Sequence, residues 1–187
     1  MDKIPVTPNI FIPMPVVLVG TQVKRKANFM TVGWCSRANA NPPMISCGIN
    51  KVHFTPEGIR ENQTFSVNIP SLSLLEKTDY CGLVSGANTD KSEVFEVFYG
   101  TLKTAPMIRQ CPLTMECRLV QAIDLPTNIL FIGEIVGAYA DGEIWKDKKP
   151  DFRVINPLLL TMPDNTYWTL GKAVGKAWKA GAGMKLR

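Results

Sequence analysis

The sequence predicts a mainly β protein, an antiparallel barrel of six or more strands with a few short helices. Two observations carry that prediction. Fourteen prolines and fourteen glycines are scattered as punctuation between short apolar runs, the spacing expected of many short strands and turns. Within several of those runs apolar and polar residues alternate, which is the period of a half-buried strand. Strand and helix do not alternate in the manner of a doubly wound nucleotide fold. Closing such a sheet leaves few free edges, so a barrel is favoured. At 187 residues the chain is long enough for one well-buried domain and short for two. A single domain over residues 1–187 is expected, with its core at about 13–170 and a tail at 171–187.

The elements follow in order. Pro15 to Thr21 reads as a strand, Gln22 to Ala27 as a loop, and Asn28 to Ser36 as the neighbouring strand. After the Pro42-Pro43 pair, Met44 to Asn50 is a third. Thr55-Pro56-Glu57 resembles an N-cap threonine with proline opening a helix over Pro56 to Asn62. Phe65, Val67 and Ile69 alternate in a strand over Thr64 to Ile69, and Ser71 can cap a second helix running to about Leu83. Asp90, with Glu93 three residues on, predicts a third helix over Lys91 to Val97. Leu113, Met115, Cys117 and Leu119 alternate with polar neighbours, and Asn128 to Ala140 is long and nearly uncharged. Joined by Leu125 to Asn128, these two segments should pair as a hairpin.

Composition excludes several classes. Apolar runs such as Val16 to Val19 are far too short to cross a bilayer, and the first residues lack the pattern of an export signal. A cytoplasmic protein with no membrane association is expected. Five cysteines, separated by 12, 34, 30 and 6 residues, have no spacing of a zinc knuckle or redox dithiol. They read as reduced thiols that mostly pack the core. The net charge of +5 suits small anions. Nucleic acid is not expected, because the basic segments Lys24 to Lys26 and Lys146 to Lys149 are short and lack interleaved aromatics, and read as solvated turns. With His53 the only histidine, a hydrolase triad has one candidate base and no G-x-S-x-G elbow, and no metal-ligand spacing converges on it. Neither G-x-x-x-x-G-K-[ST] nor G-x-G-x-x-G occurs.

What remains is a concentration of small, hydroxylic and amide residues, with a few charged ones among them, at the ends of the expected strands: Asn28, Thr31, Ser36, Asn50, Lys51, His53, Thr55, Ser85, Gly86, Asp90 and Lys91. Anion binding needs hydrogen-bond donors and modest positive charge, and the helix opening at Thr55 adds free N–H groups and the positive end of its dipole. Met30, Val32, Trp34 and Phe54 offer apolar surface for a flat ring, although Trp34 suits the core equally. A ring bearing a phosphate describes FMN.

Five segments then carry a resemblance. N-F-M-T-V-G-W-C-S (Asn28 to Ser36), N-P-P-M-I-S-C-G-I (Asn41 to Ile49), N-K-V-H-F-T (Asn50 to Thr55), F-S-V-N-I-P-S (Phe65 to Ser71) and C-G-L-V-S-G-A-N-T-D-K (Cys81 to Lys91) resemble, in order and spacing, the flavin-reductase-like family and most of all its flavoredoxin branch. The resemblance covers roughly Pro13 to Ala140. It implies a Greek-key-like split β-barrel that binds FMN without a covalent bond and forms a homodimer, with the flavin near the subunit interface. It further implies that the strand Thr31, Val32, Gly33, Trp34, Cys35 and Ser36 runs along the flavin ring, while Asn50 to Thr55 and Ser85 to Lys91 add ring or phosphate contacts. Lys51, Lys91, Ser36 and Thr55 would face the phosphate, with Arg37 a weaker candidate. The chemistry would belong to the flavin, so no catalytic acid or base is demanded and no metal is expected. Two functions stay open at this point: an NAD(P)H-dependent flavin or ferric reductase, and an electron carrier served by a redox protein. A third is an interaction module without cofactor. The tail, Gly171 to Arg187, reads as a short packed helix through Trp178 and a loose end.

Overall fold

The computed structural model describes residues 2–184. Seven strands make the main sheet: β1 (Val17–Val23), β2 (Lys26–Val32), β3 (Cys35–Asn39), β4 (Met44–Asn50), β5 (Thr64–Ile69), β6 (Leu113–Asp124) and β7 (Asn128–Ala140). Their order across the sheet is β2-β1-β5-β6-β7-β4-β3, and every neighbouring pair is antiparallel. The expected hairpin of two long strands is the spine, paired from Ile129 opposite Asp124 to Ala140 opposite Leu113. Register shifts at Ile132/Gly133 and Ile135/Gly137 interrupt it. Such bulges bend a strand and increase its twist, and the bend curls the sheet on itself. Gly133 serves the same curvature, since a Cβ there would lie 2.5 Å from the Phe65 ring.

Curling brings side chains from all seven strands into one core, including Val17, Val19, Val32, Cys35, Ile49, Phe65, Val67, Cys117 and Phe131. Helix α1 (Thr55–Asn62) contributes fully buried Ile59 to it. Gly58 permits that approach, because any side chain there would collide with the Gln22 carbonyl. A second core lies on the outer face of β1 and β2, where Leu18, Ala27 and Phe29 meet Leu74, Cys81, Phe95 and Ile108. Helix α2 (Leu75–Leu83), entered through a 3-10 turn at Leu72–Leu74, covers this face.

The barrel is split, as the resemblance implies: its edge strands β2 and β3 follow one another in the chain but do not pair. Elsewhere the structure departs from the expected elements at five places. The expected continuous strand Asn28 to Ser36 breaks at Gly33-Trp34, where the chain crosses from one edge of the sheet to the other. The first strand is Val17–Val23, and Met14–Pro15 instead pairs with Leu159–Leu160 in a small separate sheet. Thr55 is not the cap of α1: Phe54 holds that position, and the Thr55 hydroxyl accepts a hydrogen bond from Asn28 Nδ2 at 3.0 Å. No third helix forms over Lys91 to Val97. The Asp90 carboxylate accepts bonds from the Ser92 N–H and hydroxyl, so it closes a local turn rather than capping a helix. The chain then runs into strand Val97–Phe98, which pairs with Met107–Ile108. In the tail no packed helix forms either; Trp178 is fully exposed with nothing apolar to rest on. Residues 185–187 lie outside the described residues.

Candidate functional site

A cleft of about 250 Å3 opens between the β1–β2 turn, the start of α1 and the loop after α2. The turn places Lys24 and Arg25 at φ 50° and 66°, tight enough to join two antiparallel strands with two residues. Lys24 lies with its ammonium 5.8 Å from the Phe54 ring centroid. Lys26 pairs with Asp90 at 2.6 Å and ties the loop to the strand. That loop is held at its start by Ser85, whose hydroxyl accepts from the Ala87 N–H and whose carbonyl accepts from the N–H groups of Asn88 and Thr89. Its far end is Lys91, only 4% exposed, whose ammonium donates to the carbonyls of Phe29 and Cys81 at 3.1 and 2.9 Å. No carboxylate pairs with it among the described residues. Burial pulls the Lys91 pKa below its ordinary value, and the neighbouring Cys81 opposes that shift.

A narrower recess adjoins the cleft, lined by Met30, His53, Phe54, Thr55, Ser85, Gly86 and Lys91 among others. His53 is aimed here by a turn in which Asn50 Oδ1 accepts the Val52 N–H and the Asn50 carbonyl accepts the His53 N–H. Its imidazole pKa is lowered, first by burial against the recess and then by the Lys91 charge. Asn28 is the hinge of the site. Its Nδ2 is committed to Thr55, while its Oδ1 is buried and has no partner among the described residues. Gly86 faces that oxygen, and a Cβ in its place would overlap it.

Of the sequence-predicted site residues, the cleft and recess bring together Asn28, Met30, His53, Phe54, Thr55, Ser85, Gly86 and Lys91. The others lie elsewhere. Thr31 turns its hydroxyl to the Thr78 carbonyl of α2. Val32 and Cys35 are in the barrel core, and Gly33 faces Leu160 and Met14. Trp34 belongs to neither core: it is 42% exposed and stacks on Phe11 with centroids 5.6 Å apart. Ser36 is exposed on edge strand β3, and Arg37 is spent on the carbonyls of Asn39 and Ala40. Asn50 shapes the turn, and Lys51 reaches Asp124 at 3.6 Å. Sequence reasoning missed Lys24, Lys26, Asn88 and Thr89, which line the cleft. The basic turn was visible, but its place beside residues sixty positions away depends on the fold. Among the described residues no cluster of three or more His, Cys, Asp or Glu could hold a metal ion, and no helix is long and apolar enough to cross a membrane.

The donor set fits a phosphorylated ring. A buried cation without a carboxylate among the described residues, a helix N-terminus and the further Lys24 favour an anion, and the orphaned Asn28 oxygen calls for a donor. Met30 and Phe54 supply flat apolar surface beside them. A split antiparallel barrel with a cationic, partly aromatic cleft at one end is the architecture of a small flavin-handling protein. Residues 10–161 match the model of the flavin reductase like domain, and the chain belongs to that family. It is 57% identical to a flavoredoxin from Methanosarcina acetivorans, with a TM-score of 0.96 over 97% of this chain and 98% of that one. With the flavoredoxin of Desulfovibrio vulgaris (Miyazaki F) it shares 29% identity and a TM-score of 0.89, covering 97% of this chain and 100% of the other. A ferric-chelate reductase (NAD(P)H) of Archaeoglobus fulgidus is 30% identical over 111 residues, 58% of this chain and 62% of that protein.

Proposed function

We propose that this chain binds FMN without a covalent bond in the cleft and passes electrons or hydride through it. The observation that carries this reading is Lys91: a buried ammonium whose partners are two neutral carbonyls, next to an unpartnered amide oxygen. FMN supplies a ring that accepts and releases electrons in one- or two-electron steps. The chain's own residues bind and orient it. Lys91, Lys24 and the α1 N-terminus neutralise the phosphate, Asn28 and His53 hydrogen-bond its polar groups, and Met30 and Phe54 pack the ring. The backbone from Thr31 to Ser36 offers donors and acceptors to the ring edge at the split between β2 and β3.

The cleft falls below the roughly 300–1,000 Å3 usual for a small-molecule site, so one chain encloses only part of the cofactor. A homodimer, in which the partner covers the rest, completes it. Likeness to flavoredoxins favours electron transfer as the role, and the likeness to a named NAD(P)H reductase makes a nicotinamide donor the alternative to a redox protein.

Purified protein should be yellow and release FMN, identified by mass, on denaturation. Colourless protein that takes up no added FMN overturns the reading. Anaerobic mixing then decides the donor: bleaching of the oxidised flavin by NADH or NADPH makes the chain a reductase, whereas bleaching only by a reduced ferredoxin makes it a carrier.

A further inference from the structure

Two thiols stand apart from the cleft and face each other across the sheet. Cys35 on β3 is directly opposite Cys47 on β4. The adjacent pair is joined by a hydrogen bond from the Gly48 N–H to the Trp34 carbonyl at 2.8 Å, so Cys35 and Cys47 occupy a non-hydrogen-bonded position. Residues at such positions have Cα atoms about 4.5 Å apart, within the roughly 4.4–6.8 Å that a disulfide spans. The sulfurs are already 3.6 Å apart, with the Cys47 thiol donating to Cys35 Sγ. Closure to the ~2.05 Å of an S–S bond asks for about 1.5 Å of sulfur movement, which small side-chain rotations provide without moving the backbone.

The pair is also asymmetric. Cys47 is fully buried, while Cys35 retains 8% exposure on the edge strand. The bond to Cys35, reinforced by burial, holds the Cys47 pKa well above that of an ordinary thiol. Cys47 therefore keeps its proton, and Cys35 is the less buried residue of the pair.

We propose that Cys35 and Cys47 form a redox dithiol that a hydroperoxide converts to a cross-strand disulfide. The Cys35 thiolate attacks the terminal oxygen of the hydroperoxide; the O–O bond breaks, and the alkoxide leaves as an alcohol with the proton from Cys35. Cys35 becomes a sulfenic acid. The Cys47 sulfur then attacks Cys35 Sγ, the S–O bond breaks, and hydroxide leaves as water with the Cys47 proton. Two thiols are oxidised, and one hydroperoxide is reduced to alcohol and water. The bond ties edge strand β3 to β4 just after the Gly33-Trp34 corner, and a dithiol reductant reverses it.

Trypsin makes the test direct, because cleavage after Lys26, Arg37 and Lys51 puts Cys35 in peptide 27–37 and Cys47 in peptide 38–51. Treating the full chain with hydrogen peroxide should remove two of its five thiols and yield these two peptides as one linked species, released by dithiothreitol. Cys47→Ser should then accumulate the sulfenic or sulfinic acid at Cys35. If that variant fails to fold, the wild-type peptide map decides alone. Linkage of either residue to Cys117, irreversible oxidation of Cys35 with no linkage, or both thiols persisting while others oxidise would overturn the proposal. The linkage is read by peptide mapping whether or not the protein carries FMN, so this outcome is separate from that of the flavin reading.

Discussion

Lys91 concentrates the electrostatics of the site in one residue. An ammonium removed from water is costly unless charge or strong acceptors replace its hydration, and two carbonyls supply only part of that. An anionic ligand supplies the remainder. A hydrogen bond to a charged group contributes about 1.5–3 kcal/mol, so Lys91→Met, which keeps the length of the side chain, should weaken FMN binding roughly 10- to 150-fold. Titration of flavin fluorescence measures this, and a variant that still melts cooperatively but binds FMN as tightly as the parent would remove Lys91 from the site. His53 reports on the same charge. Its lowered pKa means the ring is neutral at neutral pH and becomes charged only as pH falls below the ordinary 6.5. Because the folded state binds that proton less readily than the unfolded chain, stability falls as pH drops through this range. A bound phosphate should raise the His53 pKa, and Lys91→Met should raise it in the free protein. The chain's one histidine gives an unambiguous imidazole resonance for both titrations; a pKa unmoved by FMN would place His53 away from the phosphate.

At the scale of elements, one buried carboxylate organises the loop that precedes β6. Glu116, with no solvent exposure, accepts from the N–H groups of Thr101 and Leu102 at 3.0 and 2.6 Å and from the Tyr139 hydroxyl at 2.7 Å. Burial pushes its pKa up, but these donors together outweigh it and hold the carboxyl below its usual range. Its contribution is therefore present above the ordinary carboxyl pKa of 4.5 and is lost as pH falls through the lower folded value. Glu116→Gln should cost about 1–3 kcal/mol at pH 7 and should flatten the acid limb of stability against pH, as read by urea unfolding; an unchanged acid limb would assign that limb to other carboxylates. Which elements the sequence made legible follows the same physics. Met44–Asn50 and Thr64–Ile69 form as read, because hydrophobic period settles a strand without help from distant residues. Segments governed by side-chain choices between neighbours and distant partners were not legible. Asp90 prefers Ser92 and Lys26 to a helix, and Thr55 is drawn to Asn28 rather than to its own helix. The site divides likewise: the turn at Asn50–Thr55 and the loop at Ser85–Lys91 are local and readable, while Lys24 and Lys26 join them only through the fold.

Over the whole molecule, the split leaves β2 and β3 as free edges, and residues of β2 line the cleft of about 250 Å3. Exposed apolar side chains lie along the extended segment before β1, where Ile4 and Ile12 are nearly four-fifths exposed and Phe11 stacks on Trp34. Single exposed apolar residues need no explanation, but several on one extended arm make it the candidate interface of the proposed homodimer. A stable dimer asks each partner for about 800 Å2, and an arm laid across a second copy provides area without disturbing either barrel. The arm contributes little to the barrel's own cores, so deleting residues 1–12 should leave the melting transition of the barrel intact. If the proposed homodimer forms through this arm, the deletion should convert it into a monomer in light scattering and weaken FMN binding by at least roughly tenfold, about 1.4 kcal/mol, because the cofactor would lose its second wall. A truncated chain that remains dimeric would remove the arm from the interface. A monomer that keeps full FMN affinity would show that one barrel suffices for the flavin.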